Sequence, residues 1–529
     1  MPLAALREHA VQLLCGLLAL YVLRVIMTYA KLMRFRGPAW TGISNWPHSI
    51  AMLRGNCHEF YAQANEKYGT RSWQLSLPIL TGLNRPGPIA RVAPRVLITS
   101  SPEVWMHVNN KPGYKRSDWY YNAARIEYRK DNVFSQTDNA KHEYRRKQMA
   151  PGYSGRENTD LEASVDKQLQ NLLDLIRAKY VSSNEQVVPV NLAKKVQYFT
   201  LDVISSVGLG RAFGMLEADR DVDQYLQSSD EGLAIGNTAL ALGFSNITQA
   251  PFIGKFFAPS PKDNNGFGRL MTTCFRFVDE RAASATDKRS DMLASFIRHG
   301  LSGDELRTEA LEQILAGSDT TAGAIRGTLL HLMTNPRVYV KLQREIDDAV
   351  HRGLAPSAGQ GLITAAQAKQ LPYLQAVIRE ALRTWPPVSN IFPRDVPIDG
   401  DTVVVNGQTV FLPGGVCIGY SAYAMHRSEK IYGKDAKAFR PERWLLEPNP
   451  TKLAVMVRTN DLIFGHGRFQ CLGKPVAQIE IGKMIFELLR NFDLALLNPT
   501  HPWDARNNLG LFTISNMWVQ VTERTPGLL

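Results

Sequence analysis

The chain has 529 residues, of which 44% are hydrophobic and 21% charged, and its formal net charge is +12. This composition excludes an intrinsically disordered chain and indicates a packed globular protein. The positive balance suits nucleic acid, an anionic membrane or an acidic protein partner. The densest basic clusters, Tyr144–Lys147 and Lys31–Arg36, are short and resemble ordinary solvated faces, so we expect no nucleic-acid partner.

The N-terminal segment is the first predicted element. Ala10–Leu23 are almost wholly apolar, Arg24 interrupts, and Val25–Ala30 continue the run. About 20 apolar residues cross a bilayer core, and the long side chain of Arg24 can reach the headgroups. We predict an uncleaved transmembrane helix over about residues 10–30, within an anchor region of residues 1–36. A cleaved signal peptide and a buried core helix are the alternatives.

The residues that follow this run predict its orientation. Lys31, Arg34 and Arg36 place the rest of the chain in the cytosol by the positive-inside rule, and Gly37-Pro38 is predicted to be a hinge. The cysteines are Cys15, Cys57, Cys274, Cys417 and Cys471. Because they lack CxxC spacing, we expect neither structural zinc nor a disulfide framework, and a reducing compartment is favoured.

The rest of the chain is predicted to be mainly α-helical with a small β-sheet region. Apolar spacing of 3.6 residues predicts the helices Leu161–Lys179, Val190–Gly208, Leu306–Thr334, Arg337–His351 and Ala366–Thr384. The predicted strands are Ile89–Thr99, Thr402–Val405, Val410–Leu412 and Met517–Val521. No repeat or low-complexity linker divides the chain after residue 40, so we predict one large domain over residues 37–529.

No nucleotide-binding motif is convincing. Val207–Gly214 approach a dinucleotide fingerprint, but the third glycine is misplaced and no strand precedes it. No Walker-type loop is present. We therefore expect the chain to bind no nicotinamide or flavin of its own.

A polar stretch, Gly317–Thr321, interrupts one of the predicted helices. Glycine costs about 1 kcal/mol there relative to alanine. One helix ends at Gly317 and Ser318 or Asp319 caps the next, or a single helix opens locally so that a carboxylate and a hydroxyl face a buried group. The stretch alone leaves both explanations open.

Cys471 differs from the other cysteines in its surroundings. Three of the ten residues Phe464–Gly473 are glycines, which indicates a loop whose backbone closely approaches another group. A helical pattern then begins at Pro475. A thiol at a helix N-terminus is favoured as thiolate, although a lone cysteine is more often an inert buried residue. With no second cysteine or clustered histidine, Cys471 is predicted to make a single axial bond to haem iron.

With this loop, the chain resembles the cytochrome P-450 haem-thiolate monooxygenases over nearly all its length after the anchor. The resemblance implies that haem b lies between a distal and a proximal helix, with Cys471 as the iron ligand and Phe464 and Gly465 at the cofactor. The family usually has a basic residue two positions before the cysteine, which binds a haem propionate. Phe469 stands there, so either Arg468 takes over or other residues hold this propionate.

Weaker motifs agree with the resemblance, in the family's order. Glu380-Ala-Leu-Arg383 matches its E-x-x-R motif, and with Arg443 it implies a structural Glu–Arg–Arg cluster. His142 and Arg146 match the aromatic-x-x-x-Arg pair, with His in place of the usual Trp, and imply charge-assisted hydrogen bonds to a propionate. An ordinary basic helix face is the alternative for this pair.

The resemblance also gives the polar stretch a role over the haem. Gly317 is implied to leave room for dioxygen and substrate, Thr320 to hydrogen-bond to dioxygen or its water, and Asp319 to relay protons. Arg394 falls where relatives place another propionate-binding arginine. The implied substrate contacts are Phe134, Ala316, Val388, Ile391 and Phe512.

Two blocks, Ala150–Asn158 and Gln470–Ala477, are similar to filamentous-fungal microsomal members near pisatin demethylase and benzoate hydroxylases. They imply a role in secondary-metabolite biosynthesis or detoxification, on a hydrophobic small molecule. The resemblance also implies O2 and NADPH as co-substrates, and NADPH–cytochrome P-450 reductase as the electron donor, with cytochrome b5 as another donor. The implied location is the endoplasmic reticulum membrane. Candidate contacts with the acidic reductase face are Arg145, Lys147 and Lys474.

One segment and two rival functions stay open. Thr70–Pro86 fits the resemblance badly and is either an atypical insertion or a translated intron. The rivals are a haem-thiolate isomerase or dehydratase that needs no O2, and a non-catalytic membrane-anchored haem-binding protein. The Asp319-Thr320 pair argues against the isomerase or dehydratase.

Overall fold

The computed structural model describes residues 3–68, 88–283, 289–357 and 359–525. The segment Thr70–Pro86 lies outside these described residues. The chain forms two compact units: unit 1 comprises Met1–Ser117 and Ile391–Met425, and unit 2 comprises Asp118–Asn390 and His426–Leu529. The single domain expected over residues 37–529 stays a prediction.

The described chain is mainly helical, as predicted. Its helices are α1 (Leu3–Lys31), α2 (Trp46–Leu53), α3 (Cys57–Tyr68), α4 (Pro102–Asn110), α5 (Trp119–Ala124), α6 (Asn139–Tyr153), α7 (Leu161–Lys179), α8 (Leu192–Leu209), α9 (Met215–Ala218), α10 (Tyr225–Leu242), α11 (Ser245–Thr248), α12 (Gly266–Ala282), α13 (Met292–Arg298), α14 (Gly303–Met333), α15 (Pro336–His351), α16 (Ala365–Lys369), α17 (Pro372–Thr384), α18 (Ala422–Met425), α19 (Glu429–Tyr432), α20 (Pro450–Asp461) and α21 (Lys474–Asn491). The strands are β1 (Ile89–Ala93), β2 (Val96–Thr99), β3 (Lys115–Arg116), β4 (Pro189–Asn191), β5 (Arg394–Asp395), β6 (Asp401–Val405), β7 (Gln408–Leu412), β8 (Cys417–Tyr420), β9 (Phe492–Leu496), β10 (Asp504–Asn508), β11 (Leu511–Ser515) and β12 (Trp518–Glu523).

The predicted helices agree with these bounds, with one exception. The pattern over Ala366–Thr384 is two helices, α16 and α17, because the ring of Pro372 cannot continue a helix that is already under way. The predicted strand Ile89–Thr99 is likewise a hairpin, in which β1 pairs antiparallel with β2. Both errors arise because a break in the helix or strand lies within a continuous apolar pattern.

Unit 1 contains the anchor helix and most of the sheet. Its five-stranded sheet has the order β1-β2-β8-β5-β3, and β6 and β7 form a separate antiparallel hairpin. Within α1, Val11–Lys31 has the length and the mean hydropathy, 2.0, of a membrane span, and it is the one such helix in the described chain. The hinge predicted at Gly37-Pro38 is wrong: a side chain at Gly37 would collide with the Arg91 carbonyl, so this glycine is packed tightly against β1.

Unit 2 is built around α14, which packs along α8, α12, α17 and α21. The helix is α-helical without interruption from Gly303 to Met333, so Gly317–Thr321 neither end it nor open it. A Cβ at Gly317 would lie 2.7 Å from Ile204 Cγ1 on α8. The glycine therefore allows two core helices to approach closely, and its role beside the cofactor stays a prediction.

Glu380 is the centre of a buried ion-pair cluster in unit 2. Its carboxylate accepts two hydrogen bonds from Arg383, at 2.8 and 2.9 Å, and one from Arg443 at 2.8 Å. The indole N–H of Trp444 donates to it at 2.9 Å. Arg383 also donates to backbone carbonyls, among them that of His426. The structure thus brings the Glu–Arg–Arg residues together, on α17 and in the turn at Arg443.

We expect Glu380→Gln to lower the free energy of unfolding by about 3 kcal/mol or more, because it removes the carboxylate shared by two buried guanidinium groups and leaves Arg443 only its ion pair with Asp435. Denaturant unfolding followed by circular dichroism measures this loss. Glu447→Gln is the control, since Glu447 pairs with Lys452 at the surface and its loss is expected to change little. Equal effects of the two substitutions would contradict the assignment.

Candidate active site

The loop that holds Cys471 is closed by backbone contacts. The Cys471 N–H donates to the Phe464 carbonyl at 2.7 Å. Gly465 has φ +76°, and a Cβ there would lie 2.7 Å from the Phe469 carbonyl oxygen. Only glycine fits this position, so the loop holds the cysteine at a fixed place before α21.

The Cys471 sulfur lies at the start of α21, where the N–H groups of Gly473 and Lys474 both donate to it. Burial raises the pKa of the thiol, and these two amides, together with the charges of Arg146 and Lys474, act in the opposite direction. A thiolate at this site therefore needs further positive charge, which a coordinated metal supplies, because a coordinating thiol is deprotonated. The donor set fits a single iron–sulfur bond.

Accessible residues lie at two neighbouring places in unit 2, at Cys471 and on α14. Cys471 is accessible, although enough protein surrounds it to raise its pKa by desolvation. On α14, Ala316 is exposed and Thr320 is half-buried, whereas the residues from Thr321 to Leu329 are buried. Because α14 packs against α21, these positions lie on two neighbouring helical segments, which is the arrangement expected for a flat cofactor between a distal and a proximal helix.

Arg146 on α6 fits the carboxylate of such a cofactor. Its side chain is half-buried, and burial lowers its pKa while the charge of Cys471 raises it. Among the described residues, its guanidinium has no hydrogen-bond or ion-pair partner. A half-buried guanidinium normally binds an anion, so Arg146 fits a haem propionate.

The other expected propionate partners are placed differently. The buried ring of His142 packs on Phe469, with the ring centres 5.2 Å apart. Arg468 Nη1 lies 3.1 Å from the Glu143 carboxylate on α6, and its propionate role stays a prediction. Arg394 is buried in unit 1, where it donates to the Phe392 carbonyl at 2.7 Å, and its propionate role stays a prediction.

Asp319 and Thr320 have distinct partners on α14. The Thr320 hydroxyl donates to the Ala316 carbonyl one turn earlier, at 2.8 Å. The Asp319 carboxylate accepts hydrogen bonds from the Gln197 amide and from the Ser229 hydroxyl, the latter at 3.5 Å. Burial raises the pKa of Asp319, and the nearby charge of Arg326 opposes this. Asp319 therefore keeps its proton at higher pH than an ordinary aspartate.

Sequence reasoning missed three residues around Asp319. Gln197 and Ser229 are ordinary polar residues of α8 and α10, and nothing in the sequence connects them with α14. Arg326 carried a signal, because it lies seven residues after Asp319 on the same helix face within an apolar run. Its guanidinium donates to the Ala193 carbonyl at 3.0 Å, and burial lowers its pKa to about 10.

The expected substrate contacts fall into two groups. Ala316 is exposed, Phe134 is half-buried, and Val388 forms a β-bridge with Leu511. Ile391 and Phe512 are 2% and 5% exposed and belong to the cores of their units, and their contact with substrate stays a prediction. The Phe512 ring packs on Trp385 with the ring centres 4.6 Å apart.

The three basic residues expected to face a reductase also differ. Arg145 forms ion pairs with Glu305 at 2.6 Å and with the buried Glu309 at 2.7 Å, and its contact with a reductase stays a prediction. Lys474 lies 3.8 Å from Asp461. Lys147 is exposed and, within the described chain, its ammonium has no ion-pair partner.

Comparisons with known proteins agree with this site. The cytochrome P-450 family model matches residues 85–518. Cytochrome P-450 monooxygenase ABA1 of Pyricularia oryzae is 36% identical over 505 residues, which cover 94% of each chain. Cytochrome P-450 monooxygenase aba1 of Botryotinia fuckeliana is 39% identical over 451 residues, covering 83% of this chain and 84% of that one. Cytochrome P-450 monooxygenase abl1 of Leptosphaeria maculans is 33% identical over 436 residues, covering 80% and 74%. The chain therefore belongs to the cytochrome P-450 family and is an oxidoreductase of that class.

Proposed function

We propose that this enzyme is a haem-thiolate monooxygenase that inserts one oxygen atom of O2 into a hydrophobic small molecule. The observation that carries the proposal is the Cys471 sulfur, which is accessible and accepts two backbone N–H groups at the start of α21. The half-buried Arg146 guanidinium supports it, because it lies within electrostatic range of that sulfur. The names of the relatives, which are monooxygenases, agree.

The chain's own residues divide the work of holding the cofactor. Haem, when bound, supplies the iron at which dioxygen is activated. The Cys471 thiolate would bind that iron, and Arg146 would bind a propionate by charge-assisted hydrogen bonds. The amides of Gly473 and Lys474 stabilise negative charge on the sulfur and fix its direction.

Asp319 and Thr320 would deliver protons on the distal side. The Thr320 hydroxyl donates a hydrogen bond to the Ala316 carbonyl, so its oxygen can accept a hydrogen bond from a water molecule. Burial raises the pKa of Asp319, so this carboxyl keeps its proton to a higher pH than an ordinary aspartate. Gln197 and Ser229 hold this carboxyl in place, while the packed helices around it restrict bulk water.

The partners and location extend this proposal. Electrons would come from NADPH through NADPH–cytochrome P-450 reductase, with cytochrome b5 as another donor, and the exposed Lys147 suits an acidic partner. α1 would anchor the enzyme in the endoplasmic reticulum membrane with its catalytic part in the cytosol. The substrate class that we propose is a hydrophobic fungal metabolite, in biosynthesis or detoxification.

The carbon-monoxide difference spectrum tests the iron ligand directly. We expect Cys471→Ser to abolish the red-shifted Soret band of the reduced, carbon-monoxide-bound protein, because a serine oxygen does not replace thiolate as a donor. Cys417→Ser, at a half-buried cysteine of unit 1, is the control and keeps the band. An unchanged band in Cys471→Ser would refute the haem-thiolate assignment.

Haem retention tests the propionate site. We expect Arg146→Leu to weaken haem binding about tenfold or more, because a hydrogen bond to a charged group contributes about 1.5–3 kcal/mol. The ratio of Soret to protein absorbance after gel filtration measures the loss. Lys147→Leu, one residue further along α6 but exposed, serves as the matched control and retains haem. Equal retention in both variants would remove Arg146 from the site.

The pH dependence of coupling tests Asp319. Its raised pKa means that the carboxyl is protonated below that pKa and that proton delivery is lost as the pH rises through it. We expect hydrogen peroxide released per NADPH consumed to increase with pH in the wild type. Asp319→Asn is expected to lower turnover roughly 100-fold and to flatten this profile. The control is Asp174→Asn on the exposed face of α7, and an identical profile in both variants would contradict the role.

A further inference from the structure

One face of α14 is accessible at one end and covered at the other. Glu309, Glu312, Ala316 and Thr320 follow one another at intervals of three or four residues, so they lie in one line along the helix. Ala316 is exposed and Thr320 is half-buried, whereas Glu309 is 0% exposed. The chain between α5 and α6, residues 125–138, is hydrogen-bonded to the two glutamates at the covered end. We call this segment the α5–α6 loop.

Asn132 joins the α5–α6 loop to α14. Its side chain is buried, and Oδ1 accepts the backbone N–H groups of Phe134 at 2.9 Å and Ser135 at 2.7 Å. Its Nδ2 donates to the Glu312 carboxylate at 3.2 Å and to the Ala124 carbonyl at 3.3 Å. These four hydrogen bonds use the full capacity of an amide side chain, so Asn132 fixes both the shape of the loop and its distance from α14.

Two further contacts join the loop to the same helix. The Val133 N–H donates to the Glu309 carboxylate, which is also paired with Arg145 of α6 at 2.7 Å. Lys130 lies 2.8 Å from Asp304, but both of these side chains are more than a third exposed, so this ion pair contributes little. The buried contacts of residues 132 and 133 therefore hold the loop against α14.

Phe134 is the residue that these contacts place beside the accessible end of the line. It directly follows Val133, and Asn132 binds its backbone N–H. Its side chain is half-buried, with the ring centre 5.2 Å from that of Tyr120. The position of the Phe134 ring relative to Ala316 thus depends on the Asn132–Glu312 hydrogen bond. Hydrogen bonds to a carboxylate are stronger than those between neutral groups, which favours the closed position of the loop.

We propose that the Asn132–Glu312 hydrogen bond determines substrate size, because it holds the α5–α6 loop closed over the start of the accessible face of α14. Small or slender apolar molecules fit the site with the loop closed, whereas a bulky molecule binds only the open fraction. Its apparent affinity is reduced by that fraction. Asn132 and Glu312 are then positioning residues, which act through the loop without touching the substrate. The inference rests on the proposed function, since this face of α14 is a ligand site only when haem lies below it.

The sharpest variant is Asn132→Asp in the full-length, haem-loaded enzyme. It keeps the oxygen that accepts the Phe134 and Ser135 amides, but it replaces the Nδ2 donor and brings two carboxylates together. In Asn132→Asp/Glu312→Gln, an amide again donates to a carboxylate, so the hydrogen bond is restored in reverse. Glu312→Ala breaks it without changing the loop.

The matched control is Asn171→Asp on the exposed face of α7. The Asn171 Nδ2 also donates to a side-chain oxygen, that of Gln168 at 3.1 Å, but far from the loop in sequence and on another helix. The substitution makes the same chemical change as Asn132→Asp. We expect it to behave as the wild type in both measurements that follow.

Ligand binding measures the size limit. Imidazole and benzylimidazole bind haem iron through the same ring nitrogen, and the Soret shift gives their dissociation constants. We expect benzylimidazole to bind about tenfold more tightly to Asn132→Asp and to Glu312→Ala, because loss of a hydrogen bond to a charged group raises the open fraction by about this factor. The affinity for imidazole stays the same, and Asn132→Asp/Glu312→Gln returns to the wild-type values.

Trypsin measures opening of the loop without using the haem. Arg129 and Lys130 lie within the loop, and the rate of cleavage after them follows the open population when opening is fast. We expect cleavage about tenfold faster in Asn132→Asp and Glu312→Ala, and at the wild-type rate in Asn132→Asp/Glu312→Gln. Mass spectrometry of the fragments identifies the site.

The outcomes separate this inference from the proposed function. A wild type whose Soret band does not respond to imidazole contradicts the haem site, and the size limit with it. A wild type that binds imidazole, with benzylimidazole affinity unchanged in Asn132→Asp and Glu312→Ala, overturns the size limit alone, even if cleavage is faster. Weaker binding of both ligands that the double variant does not restore means a general loss of structure, and it also overturns the proposal.

Discussion

As the proposed iron ligand, the Cys471 sulfur would carry negative charge in a place where burial opposes it. Desolvation raises the pKa of the thiol. Two backbone amides, the start of α21 and the charge of Arg146 lower it. These groups are only useful if the sulfur is held at one position. The Phe464 carbonyl and the positive-φ Gly465 do this, since they fix the loop by backbone contacts that no side-chain rearrangement can loosen. The loop sequence therefore suits the negative charge that Cys471 would carry as the proposed iron ligand.

The same problem of buried charge recurs elsewhere in unit 2, with different solutions. Glu380 is fully enclosed, and two guanidinium groups and an indole satisfy its carboxylate. This makes it a rigid structural ion. Asp319 receives weaker support from an amide and a hydroxyl, with Arg326 near it, and its pKa stays raised. A carboxyl that is only partly compensated retains a proton, which is the property a proton donor needs.

Features with local causes could be predicted from the sequence. The bounds of α7 follow from its apolar period, and the loop before α21 follows from the glycines around Cys471. The contact of Gly317 with Ile204 could not be predicted, because a glycine in a helix has the same sequence pattern whether it admits a ligand or a neighbouring helix. The ion pair of Arg468 with Glu143 could not be predicted for a similar reason, because Glu143 lies on α6, more than 300 residues earlier. Contacts between distant segments have no signature in a single sequence.

The tight packing of Gly37 against β1, with Leu32 and Phe35 buried, means that no flexible linker separates α1 from the rest of unit 1. A transmembrane helix tilts when its apolar length exceeds the local thickness of the hydrocarbon layer. If a flexible linker followed the helix, such tilting would not reorient the rest of the chain. With α1 in the bilayer as proposed, such a tilt would be passed on as rotation of the rest of unit 1, so the lipid composition of the membrane would set the angle between that unit and the bilayer.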